Sequence, residues 1–274
     1  NQAAVAVVVT DIREAMVVLA QAFYQNPQDK LYKIAITGTK GKTTTAYLTH
    51  HLVNEITQQK CALFSSEETI LDGKTKSKST LSTPEALIIY QQMAQAVENK
   101  MTHLVMEVSS QAYKIKRVYG LTFELGMFLN IGHDHISPIE HPTFEDYLFC
   151  KRQLILNSKK MIINADMPYF DLLVETCEQV KVDYLTFSAQ KNSADYQYTS
   201  QNQHDFIFQD HHKQEREDIH LNLVGEFNHA NATAALIAAK QIDSDLPLMK
   251  AGRVLGEVSV PGRMNAFYLK NGAL

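Results

Sequence analysis

Six short apolar runs, at 33–37, 60–64, 102–108, 125–131, 160–164 and 182–187, alternate with helical patterns near 43–57, 84–98, 144–157 and 168–179. That alternation leaves the chain few folds. Unbroken apolar runs are strands buried on both faces, and the helices between them return the chain so that the next strand runs parallel. The expected class is α/β, a mostly parallel sheet flanked by helices. Ahead of it, residues 3–9 (AAVAVVV) read as a strand and 26–30 (NPQDK) as a linker. Residues 11–24 read as a helix with Ile12, Met16, Leu19 and Phe23 on one face. Residues 189–218 turn polar and contain the alternating run HDFIF, which reads as a small antiparallel β excursion or a long surface loop. Helices at 230–240 and 246–256 follow.

The first junction of the alternation carries the clearest chemistry. In IAITGTKGKTTTAYL (34–48) an apolar strand stops at a glycine turn and a helix begins, with Leu48, Leu52 and Ile56 on one face. Backbone N–H groups at such a turn, together with the helix N-terminus, can face an anion. Gly38 and Gly41 let the backbone approach phosphate oxygens, Lys42 can reach the outer phosphates, and the Thr43 hydroxyl can sit on Mg²⁺. The general motif is G-x-x-x-x-G-K-[ST]. Here Ile36 stands at its first glycine, so Gly38, Thr39, Lys40, Gly41, Lys42, Thr43 and Thr44 form a shorter variant of this P-loop. A strand–helix turn with no ligand is the alternative.

Four later segments hold further candidates. Glu107 ends the apolar strand THLVMEVSS, at the sheet edge where parallel sheets bind ligands; it can hold Mg²⁺ or simply pair with a nearby base. FLNIGHDHISPIEH (128–141) packs His133, Asp134, His135, Glu140 and His141 together. No Cys or H-x-x-x-H helix supports zinc there, which leaves one histidine on Mg²⁺ or phosphate, or a polar surface loop. In PTFEDYLFCKRQLIL (142–156), Thr143 and Asp146 suit a capping box. Phe144, Leu148, Lys151 and Ile155 then share a face, which puts Lys151 on a core-facing stripe. A buried ammonium tends to lose its proton, and a neutral amine can capture carbon dioxide as a carbamate that holds a metal. Snorkelling outward or pairing with an acid is the alternative. Asn228 and Asn231 open an Ala-rich helix, where they can cap it or read a base edge. Arg263, in VPGRM, can reach phosphates or close a domain.

Composition narrows the partners. With 26 Lys and Arg against 30 Asp and Glu, the net charge of −4 supplies no general attraction to nucleic acid or membrane. Cys61, Cys150 and Cys177 form neither zinc spacing nor a disulfide framework, so a reducing cytoplasm is expected; a monomer is expected as well. The run 3–9 is too short to span a bilayer. No initiating Met is present, and a piece of a longer protein is expected.

TGTKGKTTT, MEVSSQ, NIGHDHISPIEH, CKRQL, GEFNHANATAA and VPGRM resemble, in that order, the motifs of the Mur ligases. The likeness is greatest to the MurE type, which adds the third residue of the peptidoglycan stem peptide. The resemblance implies a tail of an N-terminal UDP-sugar domain and linker (1–29), a central ATPase domain (30–264) and the start of a C-terminal domain (265–274). It implies that ATP phosphorylates the D-glutamate side chain of UDP-N-acetylmuramoyl-L-alanyl-D-glutamate, and that a diamino acid attacks the acyl phosphate. TGTKGKTTT, MEVSSQAY and PIEHPTFEDY look most like the L-lysine-adding branch, with meso-diaminopimelate as the alternative acceptor. By the same resemblance, Lys42 and Thr43 serve the phosphates and Mg²⁺, Glu107 shares the metals, His135 binds a second Mg²⁺, and Lys151 is carbamylated. Asn228, Asn231 and Arg263 contact the nucleotide; Ser82, Thr83, Ser109 and Arg117 contact the muramoyl substrate. His133 departs from the commoner wording of its motif. The ribose contact and most of the acceptor pocket are implied to lie in the last domain, so this piece is not expected to complete ligation alone. A GTPase would want an N-K-x-D motif, which is absent, and MEVSSQ and STPEA argue against a folylpolyglutamate synthetase.

Overall fold

The computed structural model describes residues 6–134 and 136–263. Along the chain come α1 (Ile12–Phe23), β1 (Tyr32–Thr37), α2 (Lys42–Ile56), β2 (Cys61–Phe64), β3 (Glu68–Ile70), β4 (Lys76–Lys78), α3 (Ala86–Glu98), β5 (His103–Glu107), α4 (Ser110–Lys114) and β6 (Leu125–Phe128). They are followed by α5 (Phe144–Leu156), β7 (Lys160–Asn164), α6 (Phe170–Val180), β8 (Asp183–Ser188), β9 (Tyr196–Ser200), β10 (Asp205–Asp210), β11 (Glu215–His220), α7 (Phe227–Ile242) and α8 (Leu248–Gly256). Among the described residues the strands form one sheet in the order β11-β10-β9-β8-β7-β6-β1-β5-β2-β3-β4. From β9 through β2 every pairing is parallel, as the alternation predicts. The outer pairs on both sides are antiparallel.

Side chains of the central strands divide between two cores because successive residues face opposite ways. Ile34 and Ile36 of β1 join the core under α2, α7 and α8, while Ala35 faces the core under α1, α3 and α5. Both faces are covered, which is why these strands read as continuous apolar runs.

The antiparallel strands expected at 189–218 continue the main sheet. β9 extends it in parallel from β8, with Phe187 opposite Tyr196, and the direction reverses only at β10. Phe206 and Phe208 of β10 are fully buried in the core under α7, and Phe206 stacks on His229 of that helix at 4.9 Å. Phe208→Ala is therefore expected to lower the unfolding free energy by about 3–5 kcal/mol in urea denaturation. A loss under about 1 kcal/mol, the range of surface changes, would mean that these strands pack as a separate flap.

The N-terminal expectations need correction. Residues 6–9 are not a strand, and the rest of that run lies outside the described residues. The helix forms, but its buried residues are Val17 and Ala20, while Ile12, Leu19 and Phe23 are exposed. Polar anchors fix this rotation. Lys116 pairs with Asp11 and Glu14, the Arg13 guanidinium donates to the Ile115 carbonyl, and Gln21 donates to the Tyr90 hydroxyl. The stretch read as a linker is a packed 3-10 turn, Pro27–Lys30, with Pro27 and Gln28 buried. Lys33, itself buried, donates to the Gln28 carbonyl at 2.8 Å.

Candidate active site

β1 lies in the middle of the sheet, between β5 and β6, and its C-terminal end is the point where neighbouring connections diverge to opposite sides. Such switch points leave a crevice outside the strand ends. The glycine turn fills this place, and α2 starts at Lys42 with Gly41 as its N-cap at φ +84°. A side chain at Gly41 would adopt a disfavoured backbone region and collide with the Asn231 amide. A cavity of about 430 Å³ opens over the turn, lined by Thr39, Lys40, Gly41, Lys42, Thr43 and Thr44 together with Phe227, Asn231 and Arg263. A second cavity of about 510 Å³ shares Lys40, Gly41, Phe227 and Asn231 and extends to Asn130, Asn164, Phe187 and Tyr198.

Two lysines meet on one carbonyl oxygen. Lys42 Nζ donates to the Gly38 oxygen at 2.8 Å and to the Thr39 oxygen at 3.2 Å. Lys151 Nζ, carried in by α5, donates to the same Gly38 oxygen at 2.8 Å and stands 4.8 Å from the centre of the Tyr147 ring. Lys151 is only 2% exposed, so it does not snorkel. Burial, and then the Lys42 charge, hold its amine well below the usual lysine range. Burial also lowers Lys42, against the opposing pull of Glu107. A buried amine driven toward its neutral form is a competent nucleophile for carbon dioxide.

Beside the lysines is an oxygen-rich corner. Glu107 is 1% exposed, and burial pushes its carboxyl up while the Ser66 amide and Lys42 oppose. Glu107 Oε1 accepts from the Ser66 amide at 2.7 Å and from the Ser66 hydroxyl at 3.1 Å; that hydroxyl lies 2.8 Å from Thr43 Oγ1. A buried carboxylate with two hydroxyls is a donor set that suits Mg²⁺. Ser66 was invisible to the motif reading, because it belongs to a loop between short strands and only the fold brings it to Thr43. His135 lies outside the described residues.

Asn130 is a second residue that the motif reading missed. Its amide accepts from the Lys40 N–H at 2.9 Å and donates to the Lys40 carbonyl at 3.0 Å, holding the turn from the end of β6. Its position in the NIGHDH run was the available signal. Lys40 Nζ also pairs with Asp134 at 2.8 Å.

The helix carrying Asn228 and Asn231 starts at Phe227, so both lie inside its first turns and neither caps it. Asn228 donates to the Val224 carbonyl and accepts from Asn231, so it orients Asn231, whose side chain lines both cavities. Arg263 borders the phosphate-side cavity and lies 3.6 Å from Glu67. Thr83 is buried and binds backbone, donating to the Glu107 carbonyl at 3.0 Å and accepting from the Ser109 N–H. Ser109 caps α4, Ser82 is half-buried, and Arg117 grips Glu85 through two nitrogens.

Comparison with known proteins gives the family of the chain. The family model described as the Mur ligase middle domain matches residues 36–239. The chain belongs to the Mur ligase family. It is 47% identical over 272 residues to the UDP-N-acetylmuramoyl-L-alanyl-D-glutamate–L-lysine ligase of Enterococcus faecalis, an alignment covering 97% of this chain and 53% of that protein. It is 45% identical over 268 residues to the UDP-N-acetylmuramyl-tripeptide synthetase of Lactococcus lactis subsp. cremoris, covering 98% of this chain and 54% of the other. The chain thus spans about half the length of these curated Mur ligase relatives. A solved UDP-N-acetylmuramoyl-L-alanyl-D-glutamate–2,6-diaminopimelate ligase shares the fold, with a TM-score of 0.77 at 24% identity, over 90% of this chain and 51% of that one. An FPGS–AMPPCP complex shares it at a TM-score of 0.69 and 16% identity, over 94% and 74% of the two chains. No described helix of this Mur ligase domain is long and apolar enough to cross a membrane.

Proposed function

We propose that this chain is the central, ATP-binding domain of an amide ligase that adds L-lysine to UDP-N-acetylmuramoyl-L-alanyl-D-glutamate. The observation that carries this reading is the meeting of Lys42 and Lys151 on the Gly38 carbonyl beside buried Glu107. The triphosphate lies along the turn from Gly38 to Thr44, where the backbone N–H groups that open α2 receive its oxygens. Lys42 leaves the Gly38 carbonyl for the outer phosphates and stabilises the transferring phosphoryl group. The D-glutamate side-chain carboxylate attacks the γ-phosphorus and ADP departs. The lysine amine then attacks the acyl carbon, phosphate leaves, and the amine loses a proton. The cavity past Asn231 takes the nucleoside end.

Thr43, Ser66 and Glu107, with Lys151 as a carbamate and His135, would hold Mg²⁺. When bound, the metal would neutralise charge among a triphosphate and two carboxylates. Ser82, Ser109 and Arg117 would contact the muramoyl substrate, with buried Thr83 holding the Glu107 and Ser109 backbone in place, while a further domain supplies the rest of the acceptor pocket. The 47% identity to a protein named for L-lysine favours that acceptor.

The test uses the full-length enzyme with UDP-N-acetylmuramoyl-L-alanyl-D-glutamate, ATP, Mg²⁺ and either L-lysine or meso-diaminopimelate, following ADP release. Turnover with L-lysine is expected. A preference for diaminopimelate would correct the acceptor, and no ADP with either would overturn the ligase reading.

A further inference from the structure

His141 has no part in the chemistry above, yet it stands where three parts of the site join. Its ring is fully buried. Nδ1 lies 2.6 Å from Asp146 Oδ2, and Nε2 lies 2.9 Å from Ser110 Oγ. Lys114 donates to the same Asp146 oxygen at 2.7 Å. An ionised carboxylate only accepts, so His141 donates from Nδ1, and Nε2 shares a hydrogen bond with the Ser110 hydroxyl. Ser110 opens α4, just beyond Glu107 and Ser109; Asp146 lies in the first turn of α5, the helix that also carries Lys151.

The described stretches 132–134 and 136–141 are each fastened to the site. In the first, the Gly132 N–H donates to Thr39 Oγ1 at 3.0 Å, and that oxygen lies 3.0 Å from the Tyr147 hydroxyl of α5. In the second, the Ser137 N–H donates to the His141 carbonyl at 2.9 Å, and the His141 ring packs edge-on against Tyr147 at 5.2 Å. The phosphate turn therefore grips the first, and the Ser110–His141–Asp146 array ties the second to the substrate-side helix. Ser110 is itself buried, which disfavours reading the array as a nucleophile facing substrate.

We propose that His141 is a positioning residue for the ligation. The array ties α4, which follows Glu107, to α5, which carries Lys151, and so sets where those two groups stand relative to each other. This rests on the ligase reading. Outer-shell partners of this kind typically change metal affinity or activity by about 10–100-fold.

The experiment compares wild type, His141→Ala, His141→Asn and Ser110→Ala in the full-length protein. It reads kcat, KM for ATP, the Mg²⁺ concentration for half-maximal rate, and Mg²⁺-dependent binding of a fluorescent ATP analogue. His141→Ala is expected to lower kcat and raise the Mg²⁺ requirement by about 10–100-fold, with KM for ATP within about twofold because no nucleotide-side group is touched. His141→Asn, whose amide can still donate to Asp146, recovers part of the loss. Ser110→Ala, which changes little volume, shifts the Mg²⁺ requirement in the same direction and covers the case in which the His141 variants do not fold. An unchanged Mg²⁺ requirement in every folded variant, or losses that track thermal stability alone, would overturn the proposal. If wild type releases no ADP, the ligase reading fails separately, and the analogue-binding curves still test whether His141 governs Mg²⁺-dependent binding.

Discussion

Lys151→Ala in the full-length enzyme is expected to lower kcat by about 10³-fold, at the upper end of what one electrostatic group contributes to a transition state. The reason lies in its surroundings. Lys151 is sealed under the Tyr147 ring, and burial together with Lys42 disfavours its ammonium form. A residue in that position is costly to keep as a mere cation. As a carbamate it would become an anion against the Gly38 turn and would offer a metal-binding oxygen, which alanine cannot supply. KM for ATP should change much less, because the two hydrogen bonds between the Asn130 amide and the Lys40 backbone still hold the turn. Two measurements decide the matter. Steady-state kinetics of Lys151→Ala should show the loss of kcat, and NMR of the wild type equilibrated with ¹³C-bicarbonate should show a carbamate carbon. Unchanged kinetics, or a bare amine at full activity, would remove the carbamate from the mechanism.

Lys42→Ala should cost about 10²–10³-fold in kcat/KM, for a different reason. Among the described residues its ammonium has no side-chain anion within hydrogen-bonding distance, and it rests on the Gly38 and Thr39 carbonyls. Burial pushes its pKa down, which makes the charge expensive until a phosphate arrives. The triphosphate is the partner that offsets this cost, and the extra charge on the transferring group strengthens the contact further. The loss should therefore appear in both ATP affinity and turnover, in contrast to Lys151→Ala. Nucleotide titration followed by single-turnover ADP formation separates the two contributions. A variant that binds ATP normally and turns over within about threefold of wild type, well short of such an electrostatic loss, would exclude Lys42 from phosphoryl transfer.

The parallel sheet was legible because its strands are apolar on both faces, and the phosphate turn because glycine, lysine and threonine must lie close in sequence to do this work. Lys151 was legible as a lysine on an apolar stripe. Ser66 was not, and His141 was legible only as one member of a polar cluster, since each meets partners far along the chain, Glu107 at one place and Ser110 at the other. The rotation of α1 was misread because its buried residues are the small Val17 and Ala20, while ion pairs with Lys116 decide its orientation. The β3–β4 hairpin carried no apolar alternation, as the Lys-Ser-Lys run of β4 is wholly exposed.

That same run has a consequence for handling the protein. A long sheet must stop somewhere, and a bare outermost ribbon invites another molecule to add to it. Here one border is β4, with two lysines in three residues, and the other is β11, whose first four residues are Glu215, Arg216, Glu217 and Asp218. Charge on both rims disfavours end-to-end growth into fibres, so the domain should stay dispersed at the concentrations that binding titrations require.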